Sequence, residues 1–282
     1  MNQQNSFPPI DYLVIGHLSL DITPEGSRLG GTAAYAALTA QALGLRAGIV
    51  TSWAEEIPLG PLQTIPIKNY PAEKSTSFEN VYISGKRRQS LHSLAQKINY
   101  YLVPEAWRNA SIVHLGPIAQ EVEPELIRYF SGPLVALTPQ GWLRAWDETG
   151  QVYPVEWPEA AFMLEKAGAA VFSHEDIDGD EKRIEELAAH CQILAVTEKS
   201  QGARLYWHGD IRRFPTQSVT MVDPTGAGDV FAAAFFIRLY TTRDPWEAAR
   251  FATQLAAFSV QRPGLEGIPT PEEIRDCMVE VY

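Results

Sequence analysis

The chain has 282 residues, 45% of them hydrophobic, and its 23 Lys and Arg against 34 Asp and Glu give a formal charge of −11. This composition excludes a disordered or fibrous chain, and the length suits one large α/β domain or two smaller ones. The acidic balance argues against a partner such as nucleic acid, whose phosphate backbone needs a basic face, but not against one small phosphate ligand held by backbone amides. Cys191 and Cys277 offer neither metal-type spacing nor a disulfide framework, and the polar start from Met1 to Pro9 lacks the apolar core of a signal peptide. No apolar run approaches the ~20 residues of a membrane span, so a cytoplasmic protein with no membrane partner is expected.

Residues 12–16 form a short apolar run ending in Gly16, which predicts a buried strand. Residues 32–43, rich in Ala and Leu and closed by Gly44, predict a helix, and 47–51 a second strand. Residues 77–83 alternate polar and apolar, Ser84-Gly85-Lys86 reads as a turn, and 87–98 carry spaced apolar residues. That pattern predicts a half-exposed antiparallel hairpin, either an edge of the main sheet or a lid over a site. The runs 111–115, 134–137, 169–172 and 193–196 predict further buried strands, with helical stretches at 124–130 and 181–190. Residues 203–207 and 211–214 flank Gly209 as a second hairpin, 219–222 read as strand-like, and Val230 opens a nearly all-apolar helix. Asp244-Pro-Trp-Glu247 is an N-capping pattern. Strand–helix alternation with near-continuous apolar strands predicts a parallel sheet covered on both faces.

The stretch that carries chemistry is Asp223-Pro-Thr-Gly-Ala-Gly-Asp229, set between the strand-like segment and the apolar helix. Its glycines permit unusual backbone angles and a close ligand approach. The amides of Gly226, Ala227 and Gly228 would point out of a helix N-terminus, an arrangement that binds an anion. The chain has no Gly-Lys-Ser/Thr for a mononucleotide P-loop, and Phe231 stands where a dinucleotide fingerprint needs its third Gly. Asp229 follows the second Gly instead. A carboxylate beside an anion hole can accept a proton from a hydroxyl while the amides stabilise charge on a transferred group. Together these features describe phosphoryl transfer to an alcohol. The plainer alternative is a glycine-rich turn with Asp229 as a cap.

This segment resembles the C-terminal signature of the ribokinase-like (PfkB) carbohydrate kinases. The resemblance extends over most of the chain: Gly30-Gly31 with Thr32-Ala-Ala-Tyr-Ala-Ala37 is similar to the family's di-glycine signature, and Gly16-His-Leu-Ser-Leu-Asp21 to the loop after its first strand. Val196-Thr-Glu-Lys-Ser-Gln-Gly202 resembles the nucleotide-binding strand and turn, and 250–264 the helix and loop near the adenine. The Gly-Gly-Thr-Ala-Ala pattern resembles the branch containing inositol kinases. The resemblance implies one ribokinase-like domain over 1–282, a three-layer α/β/α sandwich with a mostly parallel central sheet, and a small β lid formed by about 17–29 and 76–101. It implies Asp229 as base and Gly226, Ala227 and Gly228 as anion hole. Ser19, Asp21, Gly30, Gly31 and Tyr35 would meet the substrate, and Thr197, Lys199, Gly202, Thr253 and Gly264 the nucleotide. ATP and Mg²⁺ are the implied cofactors, with Asp176 as metal ligand, and Asp223 and Thr225 would shape a loop for a monovalent cation such as K⁺.

The departures are specific. Tyr35 stands where many sugar kinases have Asn, and Thr32 where Lys is frequent. The family's Asn-x-x-Glu appears as Ser173-His-Glu-Asp176, and Lys199 occupies a common Gly position. Residues 138–157, with Trp142, Trp146 and Trp157, are the least family-like. His17 and His114 near strand ends, and Arg88 and Gln89 in the lid, read more simply as structural or exposed residues. The expected activity is an ATP-dependent kinase for a hydroxyl of a small sugar or polyol, with a cyclitol such as myo-inositol among the acceptors. The alternatives are a nucleoside kinase and a non-catalytic sugar- or nucleotide-binding member of the fold; a dinucleotide-dependent oxidoreductase is poorly supported. Phe78, Val81 and Ile83 could cover substrate or meet a partner lid in a homodimer.

Overall fold

The computed structural model describes residues 7–56, 58–83, 86–132 and 134–278. The strands are β1 (Tyr12–Ile15), β2 (Ser19–Thr23), β3 (Gly26–Gly30), β4 (Ala47–Trp53), β5 (Ile67–Pro71), β6 (Thr76–Ile83), β7 (Lys86–Ser93), β8 (Ile112–Leu115), β9 (Leu134–Leu137), β10 (Arg144–Trp146), β11 (Val152–Pro154), β12 (Ala169–Ser173), β13 (Ile193–Thr197), β14 (Ala203–Trp207) and β15 (Asp210–Phe214). The helices are α1 (Thr32–Ala42), α2 (Ala160–Lys166), α3 (Glu181–His190), α4 (Ala227–Thr242), α5 (Pro245–Ser259) and α6 (Pro271–Cys277).

Nine strands form one sheet in the order β15-β14-β13-β12-β9-β8-β1-β4-β5. From β13 to β5 every neighbouring pair is parallel, and β14 and β15 add an antiparallel edge. The apolar strands are buried on both faces because alternate residues feed two separate cores. Tyr12, Val14, Ile49, Ile112 and Ala136 pack with α1, α4 and α5 on one side. Leu13, Ile15, Val113, Leu115 and Leu137 pack with α2 and α3 on the other. The result is an α/β/α sandwich. Helices α1 and α4 are buried almost all round, and their alanines let them pack close to each other and to the sheet.

The chain winds outward from β1 through β4 and β5, then crosses back to β8 on the other side of β1. That reversal makes a crevice at the carboxyl ends of β1 and β8, where ligands of such sheets bind. Gly16 and Gly116 leave the two strands there, and a Cβ on Gly16 would run into the Gly116 carbonyl.

Above the crevice lies a four-stranded sheet, β3-β2-β6-β7, with β2 parallel to β6 and the outer pairs antiparallel. Its sheet strands occupy 19–30 and 76–93. Phe78 and Leu91 point from it onto Ile118 and Ala119, with Trp146 and Val152 beside them. The β10–β11 hairpin, from the stretch least like the family, props this sheet: Leu91 N donates to Gly150 O at 2.8 Å and Gln151 Nε2 to Gln89 O at 3.0 Å.

Several expectations change. Residues 219–222 form no strand; Met221 and Val222 are 65% and 60% exposed, and the segment is held only where Val222 N donates to the Val260 carbonyl. The stretch expected as a helix at 124–130 is a 3₁₀ segment, Pro124–Tyr129. Phe78 and Val81 lie on opposite faces of β6, so Phe78 is core while Val81 is 43% exposed. The expected turn at Ser84-Gly85 lies outside the described residues, as does the side chain of Ile83. Among the described residues no helix is long and apolar enough to cross a membrane.

Candidate active site

The turn before α4 is shaped by Gly226, which caps the helix in the left-handed region at φ 79. Only glycine adopts that angle without strain, and a Cβ there would enter the Tyr35 ring. Asp223 braces the turn from below. Its Oδ1 accepts from Thr225 N at 2.9 Å and its Oδ2 from Gly264 N at 3.0 Å, tying the turn to the loop after α5. Burial pushes the Asp223 carboxyl up, but the Thr225 hydroxyl and amide and the Gly264 amide outweigh it and hold the group below its ordinary range.

The first helical bond of α4 runs from Val230 N to Gly226 O at 2.9 Å. The amides of Gly228 and Asp229 precede it and carry the positive end of the helix. Ala227 N is used within the turn, donating to Pro224 O at 3.3 Å, so of the three expected anion-hole amides it is the one already engaged. Gly228 is exposed, with open space where a Cβ would stand, so a ligand can approach the backbone there.

Asp229 sits in the first turn of α4, half-buried, and its Oδ1 accepts a 2.6 Å hydrogen bond from Thr32 Oγ1. Burial pushes its carboxyl up to about 6, and the charges of Asp176 and Asp21 push the same way, against the Thr32 hydroxyl and Arg144. A carboxylate tuned to that range is a competent proton acceptor near neutral pH.

Asp21 lies on β2 opposite Arg28 of β3. Its carboxylate crosses Gly30, whose missing Cβ leaves the room; a Cβ there would meet the Asp21 Cγ at 3.1 Å. Gly31, at φ 89, caps α1 and passes so close to β2 that a Cβ would lie 2.7 Å from His17 O and 3.2 Å from Ser19 Oγ. The di-glycine therefore brings β2, carrying Asp21, against the start of α1, carrying Thr32. Ser19 itself is 1% exposed and sits behind this junction. Tyr35 is 2% exposed beneath the Gly226 turn, so it supports the turn instead of presenting a face to an acceptor.

On the donor side the expected residues divide. Thr197 ends β13, and Gly202, at φ 93, lets β14 start against Phe214 and Thr216. Lys199 forms an ion pair with Glu175 at 2.6 Å, both exposed. Gly264 gives its amide to Asp223. Thr253 is 4% exposed and its hydroxyl donates to Ala249 O at 2.7 Å within α5.

Asp176 closes a capping box with Ser173: its Oδ2 accepts from Ser173 N at 2.8 Å, and its Oδ1 from Gln140 Nε2 at 3.2 Å. Among the described residues no group of three acidic, His or Cys side chains could hold a metal alone. Mg²⁺ accepts a single carboxylate ligand completed by phosphate and water oxygens, so the Asp176 carboxylate is the right chemical type for that ion as one ligand.

His17 and His114 are buried structural residues. His17 bonds Thr76 Oγ1 at 2.6 Å and Gln96 O at 2.7 Å. His114 bonds the Tyr12 hydroxyl and Thr138 Oγ1, each at 2.8 Å. Two residues escaped the sequence reading. Thr32 belongs to the di-glycine signature and to the departures, with no role of its own there, and Arg144 goes unnoticed. Arg144 is 8% exposed, reaches from Ile118 O to Gln89 Oε1 at 2.7 Å, and lies 4.7 Å over the Phe78 ring, joining core to upper sheet. An Arg flanked by Leu143 and Trp146 in an apolar stretch was the available signal.

A doubly covered parallel sheet, a turn whose amides open the N-terminus of α4, and a tuned carboxylate beside it set the frame of the site. Residues 155–272 match the pfkB family of carbohydrate kinases. The cytidine kinase of Thermococcus kodakarensis is 26% identical over 269 residues, covering 88% of this chain and 95% of that protein. The ribokinase of Bacillus subtilis is 38% identical over 95 residues, 33% of this chain and 32% of its own length. A pyrophosphate-dependent kinase of the ribokinase family, solved with a pyrophosphate analog and myo-inositol, superimposes with a TM-score of 0.79 at 19% identity, covering 95% of this chain and 100% of that one. Over residues 155–272 the chain is similar to the pfkB family of carbohydrate kinases, and its fold is that of the ribokinase-family structures.

Proposed function

We propose that the protein is a kinase that moves the terminal phosphoryl group of ATP to a hydroxyl of a small sugar or cyclitol. The observation that carries this reading is Asp229, held beside the Gly226–Gly228 turn with its carboxyl pushed up to about 6. Asp21 of β2, whose charge acts on Asp229, is the carboxylate that would orient the acceptor hydroxyls. The hydroxyl proton passes to Asp229 as the new O–P bond forms. The bridging O–P bond of the donor breaks, its electrons leave with ADP, and Asp229 later returns the proton to water. The Gly228 and Asp229 amides receive the charge on the transferred oxygens. Mg²⁺ bound to the donor phosphates, with Asp176 as its protein ligand, would neutralise charge that three carboxylates facing one crevice otherwise oppose.

Met221 and Val222 favour ATP over pyrophosphate as donor. They are exposed apolar residues immediately before the anion turn, surface that a nucleobase would cover and pyrophosphate would leave wet. The reading is tested by offering ATP and pyrophosphate in turn against myo-inositol, ribose, fructose and cytidine, and following phosphorylated product. Product from ATP with a sugar or cyclitol is expected. Product from cytidine alone reassigns the acceptor, product from pyrophosphate alone reassigns the donor, and tight binding without product from any pair overturns the kinase reading.

A further inference from the structure

Thr32 is the first residue of α1, directly after the Gly31 cap, and is 2% exposed. Its hydroxyl reaches Asp229 Oδ1 at 2.6 Å across 197 residues of sequence. Its direction is fixed from three sides. A β-branched side chain in a helix has few χ1 choices. Its Cγ2 methyl lies against Gly116, where a Cβ would come within 2.7 Å of it. The same Cβ position is 3.2 Å from Thr138 Oγ1 and 3.3 Å from His114 Nε2, so a buried polar column backs the glycine. Tyr12, His114 and Thr138 make up that column, and burial pushes the His114 pKa down to about 3, so it stays neutral.

We infer that Thr32 is the positioning residue of the Asp229 base: its hydroxyl occupies Oδ1 and turns Oδ2 to the acceptor hydroxyl, whose proton Oδ2 takes. The inference rests on Asp229 being that base. The charged groups that act on Asp229 are Asp21 of β2, Asp176 of the turn after β12 and Arg144 of β10, with the buried tyrosines Tyr12 and Tyr35 also near. The two carboxylates disfavour its ionised form, whereas Thr32 and Arg144 favour it.

The test is the pH profile of kcat/KM for Thr32→Val, an isostere without the donor, with Thr32→Ser as rescue and Asp229→Asn alongside. Loss of one hydrogen bond to a charged group should move the acidic limb up by about one pH unit and lower kcat about 10- to 100-fold. KM for the donor should stay unchanged, and Thr32→Ser should restore both kcat and the limb. A purely structural role would lower stability without moving the limb. Thr32→Ala, which adds no atom, serves if the valine variant does not fold. A Val or Ala variant whose profile superimposes on that of the wild type, while Asp229→Asn is inactive, overturns the positioning role and leaves the base in place. An active Asp229→Asn overturns the base itself.

Discussion

Asp229 is legible as a motif residue because its neighbours in sequence are also its neighbours in space: Gly226, Ala227 and Gly228 shape the turn it follows. Its tuning is not legible, because the groups responsible come from β2, α1, β10 and the turn after β12. With its carboxyl pushed up to about 6, the base is ionised above that pH and protonated below it. Turnover should therefore fall as the pH drops through about 6 and plateau above about 7, as a pH–rate profile would show. Asp21→Asn works in two ways. It removes a hydroxyl acceptor, which should raise the acceptor KM about 10- to 100-fold, and it removes a like charge, which should move the acidic limb to lower pH. A limb that moves upward would show that Asp21 does not act on Asp229 through its charge. Thr253, whose position resembles a nucleotide contact, also donates its hydroxyl to Ala249 O within its own helix, a bond the motif does not announce.

At the level of elements, the hairpin at 76–93 was legible from its alternation of polar and apolar residues, and that at 203–214 from the turn at Gly209 between two apolar runs. The 219–222 segment shows why the same cue fails: short apolar runs mark strands, buried helices and exposed loops alike, and here the apolar side chains face outward. The β10–β11 hairpin was missed because its job is to prop the upper sheet, through contacts that no local period encodes. The Gly226 turn, by contrast, is an element whose chemistry depends on one angle. Gly226→Ala must adopt φ 79 with its methyl in the Tyr35 ring, so stability should fall by at least about 2 kcal/mol, read by thermal or urea unfolding. An unchanged midpoint would mean that the turn tolerates a different path. If Met221 and Val222 cover a nucleobase, changing both to serine should raise the KM for ATP several-fold and leave kcat near the wild-type value.

The whole molecule carries a charge of −11, yet the chemistry proposed for it gathers a polyanion beside Asp21, Asp176 and Asp229. Local devices resolve that conflict: the helix N-terminus, the buried Arg144 and the metal that Asp176 fits. The tuned base also has a thermodynamic consequence. A carboxyl whose folded-state pKa stands at about 6, above its unfolded value, destabilises the fold above pH 6, and this cost vanishes below about pH 4. Asp229→Asn should thus be more stable than the wild type at pH 8, by about 1–2 kcal/mol once solvent screening of the half-buried group is allowed for, and equal to it at pH 4. Fold class and layer order were legible because buried parallel strands read as apolar runs. The upper sheet's seat on Ile118 and Ala119 was not, because it joins residues that are distant in sequence.

The most direct measurement compares phosphoryl transfer and donor binding in the wild type and Asp229→Asn, with the acceptor that gives the fastest product. If Asp229 is the base, the variant binds ATP within a few-fold of the wild type, while its turnover falls by about 10³-fold. Turnover that stays near the wild-type rate contradicts the assignment.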